Sequence, residues 1–99
     1  MTIEKNLNGT ELEMSLSGRM DTSTAPQFEE ELKASISGVN KLILNFENLE
    51  YISSAGLRVI LAAQKIMNKQ GEMIIRNVNE VISEVFEITG FLDILTIES

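Results

Sequence analysis

Residues 49–61 read LEYISSAGLRVIL, an apolar strand-like stretch that gives way to two adjacent serines and then to an apolar helix. The first four N–H groups of a helix have no internal partners, and the aligned peptide dipoles put partial positive charge at that end. A serine there is open to two readings. It can cap the helix, for which serine is among the preferred residues. It can also accept a phosphoryl group, whose charge suits a helix N-terminus and changes what the turn can bind. Ser53 and Ser54 are both candidates, and Ala55, Gly56 and Leu57 make the rest of the turn small and partly apolar.

From Ser54 the helix is expected to run to about Gln70, with Gly71 closing it. Leu57, Val59, Ile60, Leu61, Ala62, Ala63, Ile66 and Met67 cover most of its circumference, leaving a polar strip on which Arg58, Lys65 and Lys69 form a basic line. Such a row is either a solvated face or a strip that a partner uses. Glu72 to Arg76 is apolar at its centre and reads as a strand. Asn79 then caps a helix with Val78, Ile82, Val85 and Phe86 on one face, ended by Gly90. Leu95-Thr96-Ile97 suits a short edge strand.

Upstream, Lys41 to Phe46 is a short apolar run bounded by polar residues, the pattern of a strand buried on both faces between helices. Glu47 to Ile52 then crosses to the serine turn. Thr24-Ala25-Pro26-Gln27 matches a capping box with proline in the first turn, and Ala25, Phe28, Leu32, Ser35 and Ile36 share a face up to Gly38, expected as a left-handed cap. Gly18-Arg19-Met20-Asp21 breaks the strand before it. Thr2 to Leu7 and Thr10 to Ser17 both alternate, and Asn8-Gly9 between them suits a type I′ hairpin turn. The order ββαβαβα(β) predicts an α/β fold, with helices packed on a mixed central sheet and right-handed crossovers where strands are parallel. Residues 1–99 suffice for one domain.

Composition narrows the chemistry. Eight basic and fifteen acidic residues give a net charge of −7, so the field of the molecule opposes nucleic acid and anionic membranes. Cysteine and histidine are absent, which removes disulfides, thiolate chemistry, the commonest zinc sites and the serine and cysteine triads. The N-terminus lacks the apolar run of a signal peptide, and the longest uncharged apolar segment, 59–63, falls far short of the roughly 20 residues of a membrane span. A cytoplasmic, soluble domain without membrane insertion is expected.

The hairpin, GRMD followed by STAP at 23–26, LILNFENLEYISSAGLRVIL at 42–61 and VFEITGF at 85–91 together resemble the STAS domains of bacterial anti-sigma factor antagonists, along essentially the whole chain and in the family's order. The resemblance implies a single STAS-like domain that binds an anti-sigma factor with serine kinase activity and so releases a sigma factor. Phosphorylation of a serine opening the second helix ends binding, and a serine phosphatase restores it. Ser54 takes that position, and Gly56 and Leu57 match the family pattern. Ser53 replaces the family's aspartate, and Ala55 replaces a second hydroxyl residue. Ser53 keeps a capping hydroxyl without the charge and stands as a second possible acceptor. Asp21 matches a family aspartate near the phosphoserine, against the local alternative of a turn carboxylate supporting a helix start. The docking surface expected on this basis comprises Asp21, Thr22, Ser54, Gly56, Leu57 and Arg58, with glycine admitting a partner's backbone.

STAS domains also serve in membrane transport assemblies as non-phosphorylated interaction modules, and the altered triplet Ser53-Ser54-Ala55 keeps that alternative open. No catalytic residue, metal or cofactor is expected. An exposed Asp21 near two serines lacks an orienting third group, and nothing like a P-loop is present.

Overall fold

The computed structural model describes residues 1–98. Strands β1 (Thr2–Asn8) and β2 (Glu11–Met20) form an antiparallel hairpin, followed by α1 (Ala25–Ser35), β3 (Lys41–Ile52), α2 (Ser54–Gln70), β4 (Glu72–Arg76), α3 (Glu80–Thr89), a single 3₁₀ turn at Phe91–Asp93 and β5 (Ile97–Glu98). The sheet order is β1-β2-β3-β4-β5, with every pair after the hairpin parallel. The α/β class, the mixed sheet and the order ββαβαβαβ are as expected.

Each parallel connection steps one strand in the same direction. Right-handed crossovers therefore put α1, α2 and α3 on one face of the sheet. Leu12, Met14, Leu16, Leu42, Leu44, Phe46, Met73 and Ile75 point to that face and form one apolar cluster with Phe28, Leu32, Ile60, Ala63, Met67, Ile82 and Phe86 of the helices. The opposite face carries no helix, which corrects the expectation of a β3 sandwiched between helices. Ile43 and Ile74, in register with each other, are nonetheless buried on that face. Around them stand the Lys41–Glu72 ion pair and Asn45, which donates to Glu13, so the apolar run reflects cover by neighbouring side chains.

Several boundaries differ from the sequence pattern. The hairpin loop is Gly9-Thr10, closed by the Asn8↔Glu11 pair, and only Gly9 has positive φ (+65°). That is the glycine-first pattern of a II′ turn, one residue later than the Asn8-Gly9 I′ turn expected. β2 does not break at Gly18. Register shifts between Ser15 and Ser17 and again between Gly18 and Arg19 let it continue to Met20. β3 continues with it, pairing Asn48, Leu49, Tyr51 and Ile52, so residues 47–52 are strand rather than a crossing loop. The last strand is Ile97–Glu98, and Leu95 is instead buried in the core beside it.

The helix ends follow local chemistry. Asn79 caps α3 through Ile82 N–H at 2.8 Å and also donates to the Leu49 carbonyl at 2.9 Å, tying α3 to β3. Helix α1 stops at Ser35 with Ile36 as its cap, and Gly38, at φ +78°, lies in the turn beyond. Thr24, expected to cap α1, makes no such bond. It has helical φ and ψ, and its hydroxyl donates to the Arg19 carbonyl at 2.7 Å. No helix among the described residues is long and apolar enough to cross a membrane.

Gly71 ends α2 in an extended conformation, and a Cβ there would collide with the backbone carbonyl of Asn40. Because a backbone neighbour cannot rotate aside, Gly71→Ala is expected to cost about 3 kcal/mol, read as a lower urea midpoint. A variant as stable as wild type would contradict the packing of the α2–β4 turn against β3.

Candidate functional site

The ends of β2 and β3 are paired through Met20↔Ile52. The loops that leave them therefore lie side by side, at the carboxyl edge of the parallel strands, where α/β sheets commonly place their sites. The Ser53 amide donates to the Met20 carbonyl at 2.8 Å and locks one loop to the other.

Ser53 is the N-cap of α2. Its backbone is extended, its hydroxyl accepts from Gly56 N–H at 3.4 Å, and its carbonyl accepts from Leu57 N–H at 2.9 Å. Ser53 is half-buried, and capping occupies it. Ser54 is the first helical residue and is exposed, and its hydroxyl has no hydrogen-bond partner among the described residues. The two serines thus divide the roles between them: one closes the helix end, and the other presents a free hydroxyl.

Asp21 stands on the neighbouring loop. Its Oδ1 accepts from the Ser23 amide (3.0 Å) and hydroxyl (2.7 Å) and from the Thr24 amide (3.1 Å), while the Thr24 hydroxyl gives its proton to the nearer Arg19 carbonyl. The Asp21 carbonyl takes the Ala25 amide at 2.9 Å. Asp21 thereby performs the capping expected of Thr24, in a turn that precedes α1. The Ser23 hydroxyl holds the Asp21 carboxyl below its ordinary value, opposed by desolvation and helped by the Thr24 and Ser23 amides.

Thr22, Ala25, Pro26 and Glu29 from the α1 side face Ala55, Arg58 and Val59 of α2 across an open groove of about 240 Å³. Thr22 and Arg58 are exposed on it, and Ala55, which also lines it, follows Ser54 in the chain. Gly56 and Leu57, expected on the docking surface, point inward. Leu57 is 6% exposed and belongs to the core cluster. A Cβ on Gly56 would stand 2.7 Å from Met20 Sδ and 2.9 Å from Ile52 Cγ1. Its glycine therefore serves the approach of α2 to the strand ends, not that of a partner's backbone. The spacing that places both on the inner face of α2 was readable, but the direction of that face depends on the β2–β3 pairing. The stack of Arg19 on Tyr51, 4.4 Å from guanidinium carbon to ring centre, escaped sequence reasoning for the same reason: only the shifted register brings the two together.

The model of the STAS domain family matches residues 2–99. The chain belongs to the STAS domain family. Among curated relatives, a Bordetella bronchiseptica protein named BtrV and described as a candidate anti-sigma factor antagonist is 40% identical over 84 residues, covering 83% of this chain and 72% of the relative. The anti-sigma-B factor antagonist of Staphylococcus aureus is 31% identical over 97 residues, covering 96% and 90%. Among solved structures, a Thermotoga maritima protein described as a candidate anti-sigma factor antagonist superposes with a TM-score of 0.91 at 20% identity, over 98% of this chain and 86% of that one. The Bacillus cell fate determinant SpoIIAA in its phosphorylated form superposes with a TM-score of 0.77 at 20% identity, over 99% and 92%.

Two expectations follow from the site. Gly56→Ala overpacks Met20 and Ile52 by about 1–3 kcal/mol and regains up to about 1 kcal/mol of helix propensity, so a net loss on the order of 1 kcal/mol is expected in urea unfolding. For Asp21 the folded carboxyl is the stronger acid. Its contribution is complete above the unfolded value near ~3.9 and is lost as pH falls through the folded one. The gap in urea midpoint between wild type and Asp21→Ala should therefore be larger at neutral pH and shrink as pH falls below the ordinary carboxylate value of ~3.9. A gap that does not change with pH would show that the Asp21 charge contributes nothing.

Proposed function

We propose that this STAS domain is an anti-sigma factor antagonist that docks through the surface around Ser54 and is switched off by phosphorylation there. The observation that carries the reading is the free, exposed hydroxyl of Ser54 at the mouth of α2, beside a half-buried Ser53 already engaged as cap. The names of the relatives from Bordetella bronchiseptica and Staphylococcus aureus support the class of partner. The partner is an anti-sigma factor that is also a serine kinase. It transfers the γ-phosphoryl group of ATP to Ser54 Oγ, ADP leaves, and the hydroxyl proton passes to a base of the kinase. A serine phosphatase hydrolyses the ester and returns the hydroxyl. All of this belongs to the bacterial cytoplasm.

The domain itself acts by binding and not by catalysis. Asp21, which follows the Met20 whose carbonyl binds Ser53, has one oxygen saturated by local donors and is held ionised by them, which makes it a weak base for a serine hydroxyl. The unmodified docking face is Thr22, Ser54 and Arg58 around the groove, with Asp21 shaping the loop behind it. Gly56 and Leu57 contribute by fixing α2 against the sheet. A phosphate on Ser54 adds nearly two negative charges to a surface that must be desolvated on docking, so binding is lost without a change of fold.

The test is to mix the protein with the kinase-like anti-sigma factor of the same genome and Mg-ATP. Intact-mass analysis and peptide mapping are expected to find one phosphate, on Ser54. Ser54→Ala should keep the complex, while Ser54→Asp weakens it at least tenfold, a loss of about 1.4 kcal/mol. Equal binding by wild type, Ser54→Ala and Ser54→Asp would remove the switch, and recovery of a permease or transport ATPase in place of a kinase would favour a transport assembly.

A further inference from the structure

We propose that a phosphate on Ser54 is held by the guanidinium of Arg58, so that modification takes Arg58 out of the docking face while it adds charge to it. The inference rests on the reading of Ser54 as phosphoacceptor and adds the residue that receives the phosphate.

Residues four apart on a helix are neighbours on its surface, with Cβ atoms about 5–6 Å apart. Ser54 and Arg58 stand in that relation at the start of α2, and both side chains are exposed. Arg58 is uncommitted: it makes no ion pair or side-chain hydrogen bond among the described residues. Arg76 is bound to Glu98 at 2.7 Å, and Arg19 lies on Tyr51. Lys65 and Lys69, further along the basic line of α2, are about 16 and 22 Å from Ser54 along the axis at the helical rise. Arg58 is thus the cation of α2 within reach of a phosphate at 54.

The opposing charges are accounted for. Glu29 faces Arg58 across the groove but is already opposite Lys33 at 3.7 Å. Asp21, on the β2–α1 loop, has its Oδ1 filled by the Ser23 hydroxyl and the amides of Ser23 and Thr24. Neither acid makes a contact pair with Arg58, whereas a phosphate at 54 offers the guanidinium fork three oxygens at contact distance. The polarity of α2 acts in the same sense, because the anion sits at the positive end. In the unmodified protein Arg58 is free to meet an acidic group of the partner. Once Ser54 carries phosphate, that cation is satisfied within the chain.

The test uses the protein carrying phosphoserine at 54 by genetically encoded incorporation, so no kinase is involved. The second ionisation of the phosphate is followed by ³¹P NMR titration in wild type, Arg58→Gln and Arg58→Lys. The phosphate alone titrates near pH ~6, and the wild-type midpoint is expected about half a unit below that of Arg58→Gln, a threefold stronger acid. Arg58→Lys, a point charge without the fork, should fall between them. Superimposable titrations of wild type and Arg58→Gln would overturn the proposal. Arg58 is exposed, so circular dichroism is expected to show all three variants equally folded. Failure of the docking reading is separately visible: Ser54→Asp would bind the kinase partner like wild type while the titration difference persisted.

Discussion

The hydrogen bond from the Ser53 amide to the Met20 carbonyl, at 2.8 Å, holds the ends of two adjacent parallel strands together where both chains turn into helices. Everything at the site depends on that tie. Met20 and Ile52, paired across it, are both fully buried and press against Gly56 at the first turn of α2. A residue larger than glycine at 56 would lift the helix off the strand ends, and with it the Ser54 hydroxyl and the Arg58 side chain. The groove between α1 and α2 has its shape because both helices start from one locked edge. An apolar core below and a polar cap above thus set the position of a surface hydroxyl more firmly than loop backbone alone could.

What the sequence revealed and what it concealed divide along one physical line. Features decided by residues close in the chain were readable: α2 from Ser54 to Gln70 with its basic line, the Asn79 cap and the Gly90 end of α3, and β4 as an apolar strand. Features decided by pairing between distant segments were not. The two register shifts in β2 carry both β2 and β3 beyond the point where their alternation fades, so Glu47 to Ile52 looked like a loop. The same shifts set which way Gly56 and Leu57 face, and they bring Arg19 over Tyr51. Thr24 shows the limit of local motifs. Its spacing to Gln27 satisfies a capping box, yet the Gln27 amide is taken by the Thr24 carbonyl, and Asp21, three residues upstream, caps the Ser23 and Thr24 amides of the turn that leads into α1. The Thr24 hydroxyl is left to brace the end of β2 through the Arg19 carbonyl. The STAS pattern was legible because it is spread over the whole chain, whereas its individual pieces are short.

Charge is distributed unevenly with respect to this site. The molecule as a whole carries −7, and α3 contributes only acids, Glu80, Glu84 and Glu87. The outer face of α2 runs the other way, with Arg58, Lys65 and Lys69 all exposed. At physiological ionic strength charges more than about 8 Å apart are largely screened. The local sign at the groove therefore matters more to a docking partner than the net charge does. A partner with an acidic contact opposite Arg58 would be steered to the right edge of an otherwise repulsive molecule.

The division of labour between the two serines would let the proposed switch work without moving the fold. Ser53 closes the helix with a neutral hydroxyl, so position 53 itself adds no fixed anion next to position 54. Ser54 makes no bond that phosphate would break, and the core below it, from Leu57 and Ile60 to Met20 and Ile52, is buried and shared with both strands. On the proposed reading, the electrostatic cost of a phosphate at 54 would be met at the surface, by the amide end of α2 and by Arg58, without being passed inward. A modification so contained changes what can approach the turn and leaves the turn itself in place. The free energy of the proposed switch would then be the difference between a hydroxyl that can be desolvated on docking and a doubly charged group that cannot.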